Sequence, residues 1–237
     1  MAKFDHNFLE EMKSMFKVDL IGVASVTKSR SKDLKKYANA LLPGSKSVVV
    51  LCKEIFGEMV ALLGTNKEVG EAFSGDYFIT HTEYINGRLT NAVHGMAGLL
   101  KDQGYRSLPM PTVAPTDQRF LKAVFSYRDA AELAGLGSVG RHTMLITPEF
   151  GSRIKMTCLL TEAIIEPTPK SRKNYCIKCN ACIKACPSKA LQMPKKGQAY
   201  AMNPYACRTY RVAGLNCSVC MKACDESLSK SECETYP

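Results

Sequence analysis

Eight cysteines between Cys176 and Cys224 constrain this 237-residue chain more than any other feature. The first four are Cys176, Cys179, Cys182 and Cys186, with Pro187 directly after; Cys207 stands alone; Cys217, Cys220 and Cys224 close the set. The first run is the C-x2-C-x2-C-x3-C-P spacing that holds a [4Fe–4S] cluster. Each iron needs one thiolate, and two-residue spacers let a tight turn aim successive sulfurs inward. Paired C-x2-C units also bind zinc, but eight cysteines at this spacing, with a proline after the fourth, favour iron–sulfur chemistry. Nothing marks the chain for secretion, so a disulfide framework is not expected.

The second run keeps the C-x2-C-x3-C tail of the same motif, and Cys207 is the candidate for its missing first cysteine. In two-cluster bacterial ferredoxins the fourth cysteine of each run ligates the other cluster. Cys176, Cys179, Cys182 and Cys224 are therefore expected around one cluster. Cys186, Cys207, Cys217 and Cys220 are expected around the other.

This module needs only the end of the chain, which sets an expected division into residues 1–165 and a two-cluster domain at 166–237. The front part is long enough for a hydrophobic core of its own. At 46% hydrophobic and 23% charged, the composition is that of a globular domain rather than a disordered or fibrous one. No apolar run approaches a membrane span. The start, Met1 to Met12, places acids where a signal peptide would be apolar. A cytoplasmic, oxygen-protected location is expected.

The formal charge is +10. Two oxidised clusters with their thiolates would lower this to about +6. Lys28, Lys32, Lys35 and Lys36, then Pro169 to Lys173, are scattered without interleaved aromatics, so nucleic acid is not an expected partner. Solvated faces, or docking of an acidic electron donor of the ferredoxin or flavodoxin kind, account for them better.

Phe8, Leu9, Met12, Met15 and Phe16 mark a first helix over residues 6–17, with Asp5 as its cap and Phe4 stapling onto Leu9. Leu20 to Ala24 reads as a buried strand, residues 32–42 as a helix capped by Ser31, and Ser47 to Cys52 as a strand buried on both faces. Gly57, Gly64, Gly70 and Gly75 break residues 53–80 into short helices and a mobile loop. Periodicity returns over 83–103, where Gly104 should terminate a helix with His94 on its polar face. Tyr105 to Pro111 reads as a short strand and a stiff loop. Cys52 and Cys158 read as core thiols and Cys233 as incidental.

The segment 126–161 contains Gly135, Gly137 and Gly140 in the G-x-G-x-x-G pattern. The dinucleotide fingerprint needs a strand before it and a helix after it. Here Arg128 to Ala134 is helix-forming and His142 to Ile146 strand-like, so a nucleotide site is not expected. The glycines permit a positive-φ turn and close approach to something large and flat; a tight turn without ligand is the alternative.

Ala134 to Ser152 (A-G-L-G-S-V-G-R-H-T-M-L-I-T-P-E-F-G-S), followed by the cysteine runs and by Cys207-Arg208, resembles the epoxyqueuosine reductase and reductive dehalogenase superfamily. Leu41 to Val50 and Asp102 to Tyr105 match more loosely. The resemblance implies an α/β (α+β) chain: a nitroreductase-like corrinoid-binding domain, then a two-cluster ferredoxin-like domain. It implies a cobalamin-type cofactor lined by Gly135, Leu136, Gly137, Gly140, Arg141, His142 and Thr143, with the two clusters delivering single electrons to cobalt.

There are departures. Epoxyqueuosine reductases continue into a helical-repeat domain, whereas this sequence ends soon after Cys224. Their catalytic aspartate lies thirteen residues before the alanine of A-G-L-G; here that position is Leu121, and Asp117 is out of register. Cys224 is followed by Asp225 instead of proline. Neither the leader nor the longer substrate domain of the respiratory dehalogenases is evident. Tyr127 and Arg128 are the candidate acid pair, with core packing as the other role for Tyr127. The expectation is a corrinoid-dependent iron–sulfur oxidoreductase, distinct from a true epoxyqueuosine reductase, that reduces a small molecule or a partner's corrinoid. The alternatives are a dedicated electron carrier without corrinoid and a flavin-containing reductase. A homodimer is compatible with a front domain small for enclosing a corrin.

Overall fold

A computed structural model of the protein describes residues 4–64, 71–171 and 173–233. Gly70, Arg172 and the Cys233 side chain, all named above, lie outside the described residues. Compactness gathers the chain into two units. One holds residues 1–53, 85–137 and 155–172; the other holds 54–84, 138–154 and 173–237. The cysteine segment thus shares its unit with two stretches from earlier in the chain.

Helix α1 (His6–Phe16) starts where the Asp5 side chain accepts from the Phe8 amide, and ends at Lys17 in the left-handed conformation. Leu9 and Met12 are its buried residues. Phe4 stacks at 4.6 Å on Phe8 and at 5.7 Å on Tyr105, so the aromatic contact at the helix start is with Phe8. Strand β1 (Leu20–Ser25) follows, then α2 (Lys32–Leu41), whose Ser31 cap accepts from the Leu34 amide. Strand β2 (Ser47–Glu54) pairs antiparallel with β1. Val48 to Cys52 are wholly buried. The run is continuously apolar because β2 is an inner strand, and each such side chain contributes about 1.5–3 kcal/mol.

Helix α3 (Gly57–Ala61) is short, and α4 (Glu71–Asp102) spans 32 residues, starting twelve before the first residue periodicity would assign. Its interior glycines dilute the pattern, and one of them has a packing reason. A Cβ at Gly95 would stand 2.5 Å from the Phe16 ring. Gly104, at φ +85, donates to Lys101 O, while Tyr105 donates to Leu100 O. That pair of bonds ends the helix with a left-handed glycine. His94 is exposed and bonds Thr90 O through Nδ1.

Short strands β3 (Ser107–Pro109), β4 (Thr116–Asp117) and β5 (Lys122–Ala123) precede α5 (Tyr127–Leu133), β6 (Ser138–Val139), β7 (Leu145–Ile146) and β8 (Ile154–Thr161). The main sheet has the order β1-β2-β8-β3, with β3 antiparallel to β8. Helices α1 and α5 pack on β1. The small residues Ala130, Ala131 and Ala134 let α5 lie close. The cysteine segment carries α6 (Ala181–Lys184), β9 (Leu191–Gln192), β10 (Ala201–Met202), α7 (Pro204–Tyr210), a π-helical turn (Arg211–Leu215) and α8 (Val219–Cys233). Among the described residues no helix is long and apolar enough to cross a membrane.

Gly135 sits at φ +78, and a Cβ there would stand 2.0 Å from the Pro169 carbonyl oxygen. Gly135→Ala combines that clash with a left-handed backbone worth about 1–3 kcal/mol. The variant is expected to unfold at clearly lower urea concentration than Gly98→Ala, a position where an added Cβ meets nothing within 4 Å.

Candidate functional site: a recess lined by four thiols

Cys176, Cys179, Cys182 and Cys224 line one recess, together with Arg141, His142, Ile146 and Asn180. Cys176 and Cys179 come from the loop before α6, Cys182 from α6 itself, and Cys224 from α8, which packs against α6. The loop turns tightly because Lys178 (φ 60) and Asn180 (φ 64) both adopt left-handed backbone.

The electrostatics sort the thiols. Burial pushes Cys224 up to about 12; the Ser152 hydroxyl opposes this, and Cys182, Cys176 and Cys179 add to it. Cys182 is raised by burial and then by Cys176 and Cys179. Cys220 is pushed to about 12 by burial, then by Cys217, Cys207, Cys182 and Cys186. Burial also raises Cys207, against the Arg211 charge, with Cys186 adding to the rise. Cys186 runs the other way. Burial would raise it, but the Leu191, Ala190 and Ser188 amides and the Ser188 hydroxyl together hold it below the ordinary thiol value. The cysteines thus fall into the same two groups of four that the crossed ferredoxin pattern specifies, with Cys220 also feeling Cys182 of the first group.

Crowded thiols cannot all ionise unless a cation shares the charge. An iron–sulfur core supplies that cation and takes one thiolate at each iron. Among the described residues no three His, Cys, Asp or Glu side chains close around a single ion; the thiols instead ring a recess. The residues fit a [4Fe–4S] core on this geometry.

The turn after α5 supports the cysteine loop. The Ser138 hydroxyl accepts from the Tyr175 amide at 2.8 Å and lies 3.3 Å from Asn174 Oδ1, which accepts from the Cys176 amide at 3.0 Å. The Arg141 guanidinium donates to Lys178 O at 3.0 Å and to the Asn180 side chain. His142 is 3% exposed and accepts the Met144 amide at Nδ1. Burial lowers its pKa to about 4, so the ring is neutral. Sequence reading did not single out Ser138, Asn174 or Asn180. The available signal was only their polarity beside a turn and a cysteine run.

The residues expected to line a corrin are divided between the two units. Gly135, Leu136 and Gly137 belong with the main sheet, where Leu136 covers Gly22 of β1, 2.9 Å from where its Cβ would stand. Gly140, Arg141, His142 and Thr143 belong with the cysteines. The open side of Gly135 faces Pro169, and a Cβ at Gly140 would meet Ile146 at 2.7 Å and the His142 ring at 2.9 Å. On the side where a Cβ would stand, both glycines are met by the chain itself. The positive φ expected at the turn occurs at Gly135 and at Thr143 (φ 72). His142 lies in the β6–β7 turn and not on a strand, because Gly140 and Met144 close that turn by a 2.9 Å bond.

Tyr127 is buried, donates to Pro111 O at 2.7 Å, and is raised by burial well above the ordinary phenol value. Its hydroxyl is thereby committed to the backbone of the loop before β4. Arg128 follows it in the first turn of α5. Asp117 is paired with Arg119 at 2.9 Å, and that bond lowers its carboxyl below the usual range. Leu121 takes φ 49 in the turn between β4 and β5.

Asp225, the residue in place of the proline, accepts from Arg153 Nε at 2.7 Å, and Arg153 also donates to Glu54 at 2.5 Å and Ile55 O at 3.1 Å. Arg153 is 19% exposed and the carboxylates about 30%. Arg153→Met would remove the cation that Glu54 and Asp225 share, next to Cys224. The expected loss is about 1–3 kcal/mol, below the cost of breaking a fully buried pair. Chemical unfolding measures it, and Lys at this position should recover only part, since one ammonium cannot reproduce the fork.

Comparison with known proteins follows the same lines. Residues 171–192 match the 4Fe-4S binding domain family. An epoxyqueuosine reductase of Listeria monocytogenes is 43% identical over 34% of this chain and 20% of its own length. One from Gloeobacter violaceus is 29% identical over 70% of this chain and 46% of its own. A solved reductive dehalogenase, whose structure is described as suggesting a mechanism for B12-dependent dehalogenation, superposes with TM-score 0.67 at 18% identity, over 96% of this chain and 34% of that one. The chain spans less than half the length of these relatives. Its fold is α+β with a ferredoxin-like iron–sulfur region, and that fold is shared with solved epoxyqueuosine reductases and reductive dehalogenases.

Proposed function

We propose that this protein is an iron–sulfur reductase in which Cys176, Cys179, Cys182 and Cys224 hold one [4Fe–4S] cluster, and Cys186, Cys207, Cys217 and Cys220 hold a second. The observation that carries the reading is the gathering of four thiols, from two distant parts of the chain, around one recess. Two such clusters supply single electrons at low potential. The chain's own part is to hold the thiols, to exclude water with Ile146, and to brace the loop through Arg141, Ser138 and Asn174.

The crossed ligation makes a specific expectation. Cys176→Ser and Cys224→Ser should each lose about half of the iron, from the same cluster, although 48 residues separate them. Cys217→Ser should lose the other half. Iron analysis and EPR of anaerobically reconstituted protein read this directly. Loss of the same cluster in Cys176→Ser and Cys217→Ser would defeat the assignment, and a zinc-loaded, iron-free protein would defeat the whole reading.

Cobalamin enters as the candidate electron acceptor through the shared fold with a protein described as B12-dependent. When bound, it would supply a low-valent cobalt centre for reduction of a substrate. No catalytic step is assigned to residues 135–143. Reconstituted protein is expected to bind cobalamin and shift it to the base-off cobalt(II) EPR signal. Intact clusters with no cobalamin affinity would leave a dedicated electron carrier, and a flavin spectrum would identify the flavin alternative. The names of the relatives make epoxyqueuosine reduction the first activity to assay.

A further inference from the structure

His142 has one ring nitrogen with a partner and one without. Nδ1 accepts the Met144 amide at 3.1 Å. A nitrogen that accepts carries no proton, so the ring's N–H is at Nε2. That atom is buried and has no hydrogen-bond partner. His142 lines the recess of Cys176, Cys179, Cys182 and Cys224. A buried N–H left unpaired costs about 1–3 kcal/mol, and four of the residues that line this recess with it carry sulfur, while Asn180 and Ser227 on its wall make no hydrogen bond to the ring. Gly140 is what lets the ring lie there, since a Cβ at that position would fall 3.2 Å from Nε2.

We infer that His142 Nε2–H donates a hydrogen bond to a sulfur of the cluster held by these four cysteines, and thereby raises its reduction potential relative to a site without the donor. The inference rests on the cluster assignment above. Its physical basis is charge: the reduced cluster carries one more negative charge than the oxidised one, and hydrogen bonds to charged acceptors are the stronger ones. The donor therefore favours the reduced state, and hydrogen bonds to sulfur are among the determinants of cluster potential. His142 sets the potential of the cluster without contributing a ligand to it.

The test is an anaerobic EPR redox titration of the reconstituted full chain. His142→Phe keeps an aromatic ring and removes the donor. It should make the one-electron reduction of one cluster about tenfold less favourable, a shift of about 59 mV to more negative potential, while the other cluster stays at the wild-type value. His142→Gln, which can place an N–H at the Nε2 position, should recover most of the shift. Wild-type protein labelled with 15N-histidine provides a readout independent of any variant's folding: pulsed EPR of the reduced cluster should show a weak 15N coupling. An unchanged potential in His142→Phe with both clusters intact, or the absence of any 15N coupling, would overturn the inference. A strong coupling typical of a directly ligating nitrogen would overturn it as well. Protein that takes up no iron–sulfur cluster at all would sink the cluster assignment itself and the inference with it. Clusters that form normally and ignore His142 would sink only the inference.

Discussion

Four thiols facing one recess repel one another once ionised, and the cysteine-bearing unit is arranged around that fact. Its local elements are too small to stand alone. Helix α6 has four residues, and β9 and β10 have two each. Helices this short do not form without tertiary support, and an isolated two-stranded ribbon is marginal. The support comes from side chains that hold the loop from outside: Asn174 on the Cys176 amide, Ser138 on the Tyr175 amide, and Arg141 on Lys178 and Asn180. A bound core would add the missing cohesion by neutralising the thiolates, and metal binding would then be part of folding.

The same constraint explains a departure from the motif. Proline after the last cysteine of a run stiffens the exit of the loop by fixing φ. Here Asp225 holds the middle of α8 through Arg153, which is tied in turn to Glu54 and to the Ile55 carbonyl. A backbone restraint has been exchanged for an electrostatic one. The exchange joins Cys224 to two earlier stretches of the chain within its unit, and no single-residue comparison with a consensus would reveal it.

Much of the fold was legible because local signals agreed with the tertiary outcome. Asp5, Ser31 and Gly104 sit at helix ends where their chemistry places them. The apolar run of β2 is buried throughout its first six residues. The spacing of the cysteines also agrees with the structure in one respect, since Cys176, Cys179, Cys182 and Cys224 line a single recess. What failed to show was set by distant partners. The first part of α4 was hidden because glycines interrupt its pattern, and the need for Gly95 is visible only once Phe16 packs on it. Ser138 and Asn174 carry no pattern of their own. Their roles exist only because the turn after α5 folds against the cysteine loop.

The glycine turn shows how far the meaning of a motif depends on what packs against it. Three glycines in six residues do require a close approach, and the structure contains two of them. Both are approaches of the chain to itself: Gly135 to the Pro169 carbonyl, and Gly140 to the His142 ring and Ile146. The polar residues that follow take a role beside the cysteines. Arg141 and His142, which the family resemblance would set against a corrin, line the recess of four thiols, one bracing its loop and the other presenting a buried N–H to it. In this chain the conspicuous turn acts on the iron–sulfur side of the chemistry. It determines how firmly the cysteine loop is held and what hydrogen bonding its sulfurs receive, and those are the protein's own levers on an electron-transfer potential.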